Sequence, residues 1–313
     1  MIYHPILPFR NAHFNTIYRK AFTSYRVLYK RKRLITDDED FIDIDISTVD
    51  SNKIFIIVHG LEGSSKSKYI LSNTEFFNKN GFDVCAMNMR GCSGESNKLY
   101  SSYHSGKTDD LDLVVDFISK KYDIIYLLGY SLGGNIVMKY TGEKSNTINR
   151  SIKKSIGVSV PVDLKSSSVE LAKTKNFLYN YMFMKEMKTK LKERVIRFGI
   201  DIDMTTINSI NNFNRFDDIY TSVAHGFKDA EDYWVKNSSK QFLTSIRIPS
   251  LLINASDDTF LGKGCYPYEE AKLNKYFTLE VPIYGGHVGF NVSFNHKKNF
   301  WLEKRILKFI ENA

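Results

Sequence analysis

The fold of this chain is decided by one stretch, residues 122–135, which reads YDIIYLLGYSLGGN. Its first seven residues are mostly apolar and rich in β-branched and aromatic side chains, which is typical of a buried parallel strand. The pattern Gly-x-Ser-x-Gly follows, and residues 135–140 continue with helical spacing. A strand, a sharp turn and a helix in this order predict a nucleophile elbow with Ser131 at its tip.

The chemistry of such an elbow follows from its tight turn. Gly129 and Gly133 leave room for neighbouring backbone at a crowded point, and the turn exposes the Ser131 hydroxyl at the sheet edge. The helix behind the serine begins with backbone N–H groups that have no acceptor inside the helix, including that of Leu132. The stretch therefore predicts a serine nucleophile beside one donor of an oxyanion hole.

Strands and helices are predicted to alternate on both sides of the elbow. Thr108 is expected to cap one helix, with Asp109 and Asp110 at the positive end of its dipole. The alternation indicates an α/β fold with a mostly parallel central sheet and helices on both faces. The remaining strands are expected at residues 25–34, 40–46, 53–58, 81–88, 152–160, 249–255 and 276–281, and helices at 13–18, 66–80, 108–118 and 299–311.

The alternation is interrupted at residues 161–241, where the spacing of apolar residues is mostly helical. We expect one α/β domain over residues 1–313, with a helical cap inserted at approximately 161–241, after the sixth strand. The Met and aromatic side chains of the insertion would either line an apolar pocket or only attach the cap helices to the body. No individual cap residue is assigned.

Two further catalytic groups are placed by their order along the chain. A serine nucleophile needs a general base, and a carboxylate that orients the base. In folds with this elbow they follow in the order Ser, Asp, His, on loops after strands. His287 follows the last strand, next to Gly285 and Gly286, and is the expected base. Asp257 and Asp258 follow the preceding strand; counting from the strand end favours Asp258 as the acid, and Asp257 would cap the turn.

The second oxyanion donor is expected in the loop after the strand at residues 53–58. This loop reads His59-Gly60-Leu61-Glu62-Gly63. We expect the backbone N–H of Leu61 to act together with that of Leu132. His59 is interpreted as a residue that organises the loop and not as a second base.

The composition sets limits on partners and location. The 313 residues include 44 Lys and Arg against 35 Asp and Glu, a formal charge of +9. The simplest explanation of this charge is a solvated, basic surface. Basic residues are denser at residues 30–33 and 185–197, but neither segment matches a nucleic-acid-binding module. An anionic membrane or an acidic substrate is the alternative. The absence of a long apolar run or secretory signal, together with three unclustered cysteines, predicts a cytoplasmic protein without a zinc site.

Taken together, the motifs resemble the YheT-like hydrolases, a branch of the α/β-hydrolase superfamily related to abhydrolase-domain lipid esterases of eukaryotes. The resemblance covers nearly the whole chain. Carried over position by position, it implies Ser131 as nucleophile, Asp258 as acid and His287 as base. It rests on HFNTIY at 13–18, HGLEG at 59–63, NMRGCSG at 88–94, YHSG at 103–106, GYSLGGN at 129–135, FDD at 216–218, HGF at 225–227, DD at 257–258 and GGHVGF at 285–290.

Two positions depart from the family pattern: Thr259 stands where a proline usually follows the aspartate pair, and Phe14-Asn15 replaces a Leu-Gln pair. The resemblance implies a carboxylic ester hydrolase acting on short or medium acyl esters or on lipids, with no cofactor or metal required. One alternative is a phospholipase or acyl-thioesterase at anionic membranes. The other is a catalytically silent binding or scaffold module. The oligomeric state and the substrate are left open.

Overall fold

The strands are described from a computed structural model that covers residues 1–22, 24–295 and 299–311. In these ranges eight strands form one sheet in the order β1-β2-β4-β3-β5-β6-β7-β8. β2 is antiparallel to its neighbours β1 and β4, and all other neighbouring pairs are parallel. The strands are β1 (Lys30–Ile35), β2 (Phe41–Ser47), β3 (Lys53–Val58), β4 (Asp83–Asn88), β5 (Ile124–Tyr130), β6 (Ile152–Val158), β7 (Ser250–Ile253) and β8 (Phe277–Glu280).

Twelve α-helices lie in the same described ranges. A π-helical turn, Asp217–Thr221, joins two short helices, α8 and α9, into one continuous segment. The helices are α1 (Ala12–Phe22), α2 (Lys68–Lys79), α3 (Thr108–Ser119), α4 (Leu132–Lys144), α5 (Leu164–Leu171), α6 (Phe177–Phe198), α7 (Met204–Ser209), α8 (Phe213–Phe216), α9 (Ser222–His225), α10 (Ala230–Asn237), α11 (Tyr268–Leu273) and α12 (Trp301–Glu311).

The central strands are buried on both faces because nearly all of their side chains are apolar. In β3, Ile54 and Ile56 belong to the apolar cluster that includes side chains of α3 and α4. Phe55 and Ile57 belong to the opposite cluster, which includes side chains of α2 and α12. The predicted α/β class, with a mostly parallel sheet between two helical layers, is therefore confirmed.

The antiparallel edge of the sheet differs from the prediction at its start. β1 begins at Lys30 and not near residue 25, because β2 ends at Ser47 and offers no partner beyond the pairing of Lys30 with Ile46. Asp43 and Asp45 of β2 are buried like their apolar neighbours. Their carboxylates form ion pairs at 2.8 Å with Arg33 and at 2.7 Å with Arg31 of β1. Part of the basic segment 30–33 is thus neutralised within the sheet.

The N-terminus of α3 also differs from the prediction. Lys107 is the N-cap residue, and Thr108 is already helical. The Thr108 hydroxyl donates to the Glu143 carboxylate of α4 at 2.8 Å and does not bind a backbone N–H of its own helix. The capping role predicted for Thr108 is therefore wrong, whereas Asp109 and Asp110 lie in the first turn as expected.

Six helices, α5 to α10, lie between β6 and β7, where the sequence predicts the insertion. α6, α7 and the α8–α9 segment share an apolar cluster of their own, which includes Met184, Leu191 and Ile207. Many Met and aromatic side chains of this segment thus hold its helices together. Among the described residues, no helix is both long enough and apolar enough to span a bilayer.

Candidate active site

The turn between β5 and α4 holds Ser131 in a strained conformation. Its φ of +52° and ψ of −123° lie in a region that residues with a side chain rarely adopt. The flanking glycines are required by contact distance. A Cβ on Gly129 would lie 2.4 Å from the carbonyl oxygen of Gly133, and one on Gly133 would lie 2.3 Å from that of His59. The structure thus contains the sharp turn that the Gly-x-Ser-x-Gly pattern predicts.

Ser131, His287 and Asp258 come together although they lie far apart in the sequence. The Nε2 atom of His287 is 2.9 Å from the Ser131 hydroxyl oxygen. Its Nδ1 atom is 2.9 Å from Oδ2 and 3.1 Å from Oδ1 of Asp258. With Nδ1–H donating to the carboxylate, Nε2 is free to accept the serine proton. The arrangement can therefore activate a serine nucleophile.

Asp257 has a different environment from its neighbour. Its Oδ1 accepts a hydrogen bond from the N–H of Gly286 at 2.9 Å. Asp257 therefore supports the loop that carries His287, whereas the sequence predicted a cap for its own turn. Burial raises the pKa of Asp257 from 3.8 to about 6. Of the two aspartates, Asp258 is the one that contacts the imidazole.

The two expected oxyanion donors line the same cavity as Ser131. Leu132 is the first residue of α4, so its N–H has no acceptor within the helix. The N–H of Leu61 makes no hydrogen bond to any residue that the structure describes. Neither group is therefore used by a hydrogen bond among the described residues, as oxyanion donors require.

His59 organises the loop that carries Leu61. Its Nε2 accepts the N–H of Met89 at 3.1 Å, so its Nδ1 carries the proton and donates to the carbonyl oxygen of Gly60 at 2.7 Å. Burial lowers the pKa of His59 to about 4. The side chain is thus neutral and already hydrogen-bonded at both nitrogens, which agrees with the interpretation from the sequence.

Glu62, directly after Leu61, is held by contacts that the sequence does not predict. Its backbone has a φ of +52°. Its N–H donates to the Tyr103 hydroxyl at 3.0 Å, and that hydroxyl donates to the Glu62 carboxylate at 2.6 Å. Lys190 of α6 forms an ion pair with the same carboxylate. This set of contacts, the Glu62 clamp, connects the loop at residues 59–63 to the inserted helices. The sequence indicates these contacts only indirectly, because two of the segments involved, residues 59–63 and 103–106, belong to the motifs of the family resemblance.

Replacing Lys190 by Met is expected to lower kcat for a small soluble ester by about tenfold, while KM changes little. Without its partner, the buried Glu62 carboxylate would turn toward solvent and draw the Leu61 N–H away from the developing oxyanion. Stopped-flow or steady-state kinetics measure the effect.

Lys185→Met, on the exposed side of α6, is the matched control. The double variant Glu62→Gln/Lys190→Met should lose less activity than the two single losses combined. Equal kcat in Lys190→Met and Lys185→Met would contradict the expectation.

Helix α1 supports the loop that carries His287. The Thr16 hydroxyl oxygen accepts the N–H of His287 at 2.8 Å. The fully buried Asn15 accepts the N–H of Asn291 at 2.9 Å through Oδ1 and donates to the carbonyl oxygen of Phe9 at 2.7 Å through Nδ2. Asn15 thus forms a polar anchor between α1 and the loop that carries His287. No role was predicted for the motif at residues 13–18.

A cavity lies above Ser131 and His287. Helices of the 161–241 segment form one of its walls, which is mostly apolar. Some of these side chains also belong to the cluster that holds the inserted helices together. The same residues therefore line the pocket and pack the inserted helices against one another. The wall includes Leu164, Leu171, Phe183, Met187, Leu191 and Phe216.

Asp217, in the π-helical turn, is a buried carboxyl group in the same cavity wall. Its Oδ2 accepts the indole N–H of Trp234 at 2.8 Å, and its Oδ1 accepts the Thr221 hydroxyl at 2.7 Å. No Lys or Arg among the described residues forms an ion pair with it. Burial therefore raises its pKa from 3.8 to about 7.

Asp217 should make the stability of the fold depend on pH. Because its pKa is higher in the folded than in the unfolded chain, its contribution is complete below pH 3.8 and is lost as pH rises through about 7. In Asp217→Asn, the fall in thermal midpoint between pH 5 and pH 8 should shrink by roughly 5 °C. Calorimetric scans across this range measure it. Asp218→Asn, which alters the neighbouring carboxylate, serves as the control. The same pH dependence in Asp217→Asn and wild type would refute the assignment.

The cysteines and histidines do not build a metal centre in the described part of the chain. Cys85, Cys92 and Cys265 are buried free thiols. No group of three or more His, Cys, Asp or Glu side chains in the described ranges is arranged to hold a metal ion.

Comparisons with known proteins agree with this architecture. The family model described as alpha/beta hydrolase fold matches residues 53–291. The provisionally named esterase YheT of Escherichia coli (strain K12) is 29% identical over 311 residues, covering 96% of this chain and 91% of that protein. Phospholipase ABHD3 of Bos taurus is 27% identical over 322 residues, covering 99% of this chain and 78% of that protein.

The solved structures agree at the level of the fold. The esterase Pf2001 of Pyrococcus furiosus superimposes with a TM-score of 0.61 at 18% identity, covering 91% of each chain. The family model spans the central sheet from β3 to β8 together with the loops of Ser131, Asp258 and His287. The chain therefore belongs to the α/β-hydrolase fold family, among relatives that are named as esterases and lipases.

Proposed function

We propose that this protein is a serine hydrolase that cleaves carboxylic esters through an acyl-enzyme intermediate. The observation that carries the proposal is the pair of 2.9 Å contacts from Ser131 to His287 and from His287 to Asp258, built on the strained elbow. The esterase and phospholipase names of the relatives support the reaction class. The alternative of a silent binding module is disfavoured because a module without catalysis has no need for this contact geometry.

In the proposed mechanism, His287 removes the proton of Ser131 as Oγ attacks the ester carbonyl carbon. The N–H groups of Leu61 and Leu132 bind the oxyanion of the tetrahedral intermediate, and Asp258 stabilises the imidazolium. His287 then gives the proton to the leaving alcohol as the C–O bond breaks. A water molecule, deprotonated by His287, attacks the acyl-enzyme, and the collapse of the second intermediate releases the carboxylic acid and restores Ser131.

We further propose that residues 161–241 form a cap within a single domain of residues 1–313, and that the apolar wall of this cap holds the acyl chain. The cavity lining supports this division of labour, because its apolar residues come largely from α5, α6 and α8. Apolar pockets with few polar groups are typical sites for such ligands. Short and medium acyl esters are the proposed substrates, and the cytoplasmic location stays a prediction.

A panel of p-nitrophenyl esters from two to sixteen carbons tests the proposal. Wild type should hydrolyse part of the series, and Leu171→Trp, which fills the apolar wall, should shift the preferred acyl chain to shorter members and lower kcat/KM for the longer ones by about tenfold. Leu273→Trp, on the exposed side of α11, is the control. Absence of hydrolysis across the whole panel by folded wild type would reject the ester hydrolase, and an unchanged profile in Leu171→Trp would reject the acyl site.

A lipid ester is the second candidate substrate. It is favoured by the apolar cavity wall and by a relative named as a phospholipase. A lipid substrate would reach Ser131 from an interface, so its hydrolysis should depend on vesicle surface in addition to monomer concentration.

A further inference from the structure

The first half of α6 exposes apolar side chains on one side. Phe177, Leu178, Tyr181 and Met182 are 67%, 56%, 56% and 47% exposed. Their spacing of i, i+1, i+4 and i+5 places them on one surface of the helix. We call these four residues the outer face of α6. Single exposed apolar residues are common in proteins, but a contiguous group on one helix indicates an interaction surface.

The opposite side of the same helical segment contacts the candidate active site. The ring of Tyr179 lies 4.8 Å from that of Phe260, and Phe260 stacks on the imidazole of His287 at 4.2 Å between ring centroids. Phe183, one turn further along, lines the cavity. The outer face is therefore separated from the active-site cavity by the thickness of one helix.

Lysines border the outer face of α6. Residues 170–197 contain eight Lys or Arg and three Glu, although Lys190 is paired with Glu62 and Arg194 is buried against Asn97, so neither of these two adds charge to the surface. Lys173 and Lys175 share Glu170 as a partner, and Lys185 is exposed. Long lysine side chains can place their charge at a lipid headgroup while their methylene groups cover apolar surface. An apolar helix face bordered by lysines has the composition of helices that bind at anionic interfaces.

We infer that the outer face of α6 docks on an anionic lipid surface and so brings the candidate active site, one helix thickness away, close to that surface. Docking follows from exposure and charge, and only the consequence for turnover rests on the proposed ester hydrolysis. A second copy of the chain is a poorer occupant, because a symmetric contact would place the lysines that border the outer face of one copy against those of the other. An anionic lipid surface complements both the charge and the apolar side chains.

Vesicle sedimentation tests the docking. Wild-type protein should bind vesicles of phosphatidylcholine with about 30% phosphatidylglycerol at least tenfold more tightly than pure phosphatidylcholine, and the difference should decrease in high salt. Leu178→Ser/Met182→Ser should weaken binding to the anionic vesicles by about tenfold or more. The matched control is Val235→Ser/Leu273→Ser, which removes two side chains that are 59% and 78% exposed elsewhere on the surface. Thermal midpoints of the three proteins confirm that each is folded.

Two results would overturn the inference. One is that folded wild type fails to bind the anionic vesicles; light scattering that then shows a dimer dissociated by Leu178→Ser/Met182→Ser would assign the face to a second copy. The other is equal binding by both double variants. The reaction with a soluble fluorophosphonate, measured on the same samples, separates docking from catalysis. Vesicle binding without any reaction would reject the proposed hydrolase and leave the docking surface intact.

Discussion

Replacing Ser131 by alanine is expected to abolish covalent labelling by a fluorophosphonate and to lower ester hydrolysis by at least about 10⁴-fold. The hydroxyl oxygen that lies 2.9 Å from His287 is the only atom that the change removes. The proposed oxyanion donors stay in place, so the residual rate would measure what Leu61 and Leu132 contribute without a nucleophile. Intact-mass spectrometry before and after labelling is the direct measurement, with one adduct expected on wild type.

Ser168→Ala is the matched control for this result. Ser168 also lines the cavity, on α5, but the structure gives it no contact with His287. It should label at a rate close to that of wild type. An adduct on Ser131→Ala would show that another nucleophile reacts. A folded wild type without any adduct would mean that Ser131 is not activated, and the binding-module alternative would replace the proposed hydrolase.

The parts of the fold that could be predicted are those that depend on the pattern of apolar residues and glycines within a short stretch of sequence. Residues 124–130 and 54–58 contain no charged side chain and are almost entirely apolar, as a strand buried on both faces requires, and both lie in strands. The glycines around Ser131 are predictable for a similar reason, because the close backbone approach at the elbow excludes a Cβ. The rest of the candidate site could be predicted from the order of Asp258 and His287 along the chain. Each residue follows a strand, and the carboxyl ends of neighbouring parallel strands lie at the same edge of the sheet.

The contacts that could not be predicted join segments that only tertiary packing brings together. Thr16 and His287 are 271 positions apart, and no periodicity links them. The ion pair of Lys190 with Glu62 depends on how the inserted helices rest on the body of the fold. The error at Thr108 has a similar origin, because a tertiary partner, Glu143, competes with the helix terminus for its hydroxyl.

The Glu62 clamp and the Thr16 contact suggest how this site keeps its geometry. The proposed nucleophile, Ser131, is held at the end of a strand of the sheet, but the proposed oxyanion donor Leu61 and the proposed base His287 are on loops. Each loop is fastened by a helix from outside the central sheet, α6 for the first and α1 for the second. Catalytic groups need positional accuracy well below 1 Å, which loops attain only when second contacts restrain them. Substitutions in α1 or α6 should therefore affect kcat before they affect the fold.

Substitutions of the adjacent Asp257 and Asp258 distinguish most clearly between the proposed catalytic acid and a carboxylate that only supports a loop. Asp258→Asn is expected to lower kcat by about 10⁴-fold. The new amide would either donate to Nδ1 of His287, which places the imidazole proton on Nε2 against the serine, or lose the contact at 2.9 Å altogether. Asp257→Asn should keep kcat within about threefold of wild type, because an amide oxygen still accepts the N–H of Gly286. Steady-state kinetics at pH 8 and the rate of fluorophosphonate labelling compare the two variants.

The stability of Asp257→Asn provides an independent check of the environment assigned to Asp257. Burial raises the folded-state pKa of Asp257 from 3.8 to about 6, so stability falls as pH rises from 3.8 to about 6, and the full cost of ionisation applies above that value. Asp257→Asn removes this cost and should raise the thermal midpoint at pH 8 but change it little at pH 4. If instead Asp257→Asn lost the greater part of kcat and Asp258→Asn kept it, the acid role would belong to Asp257. The contact of Asp258 with the imidazole would then be structural, and the loop after β7 would have to rearrange during catalysis.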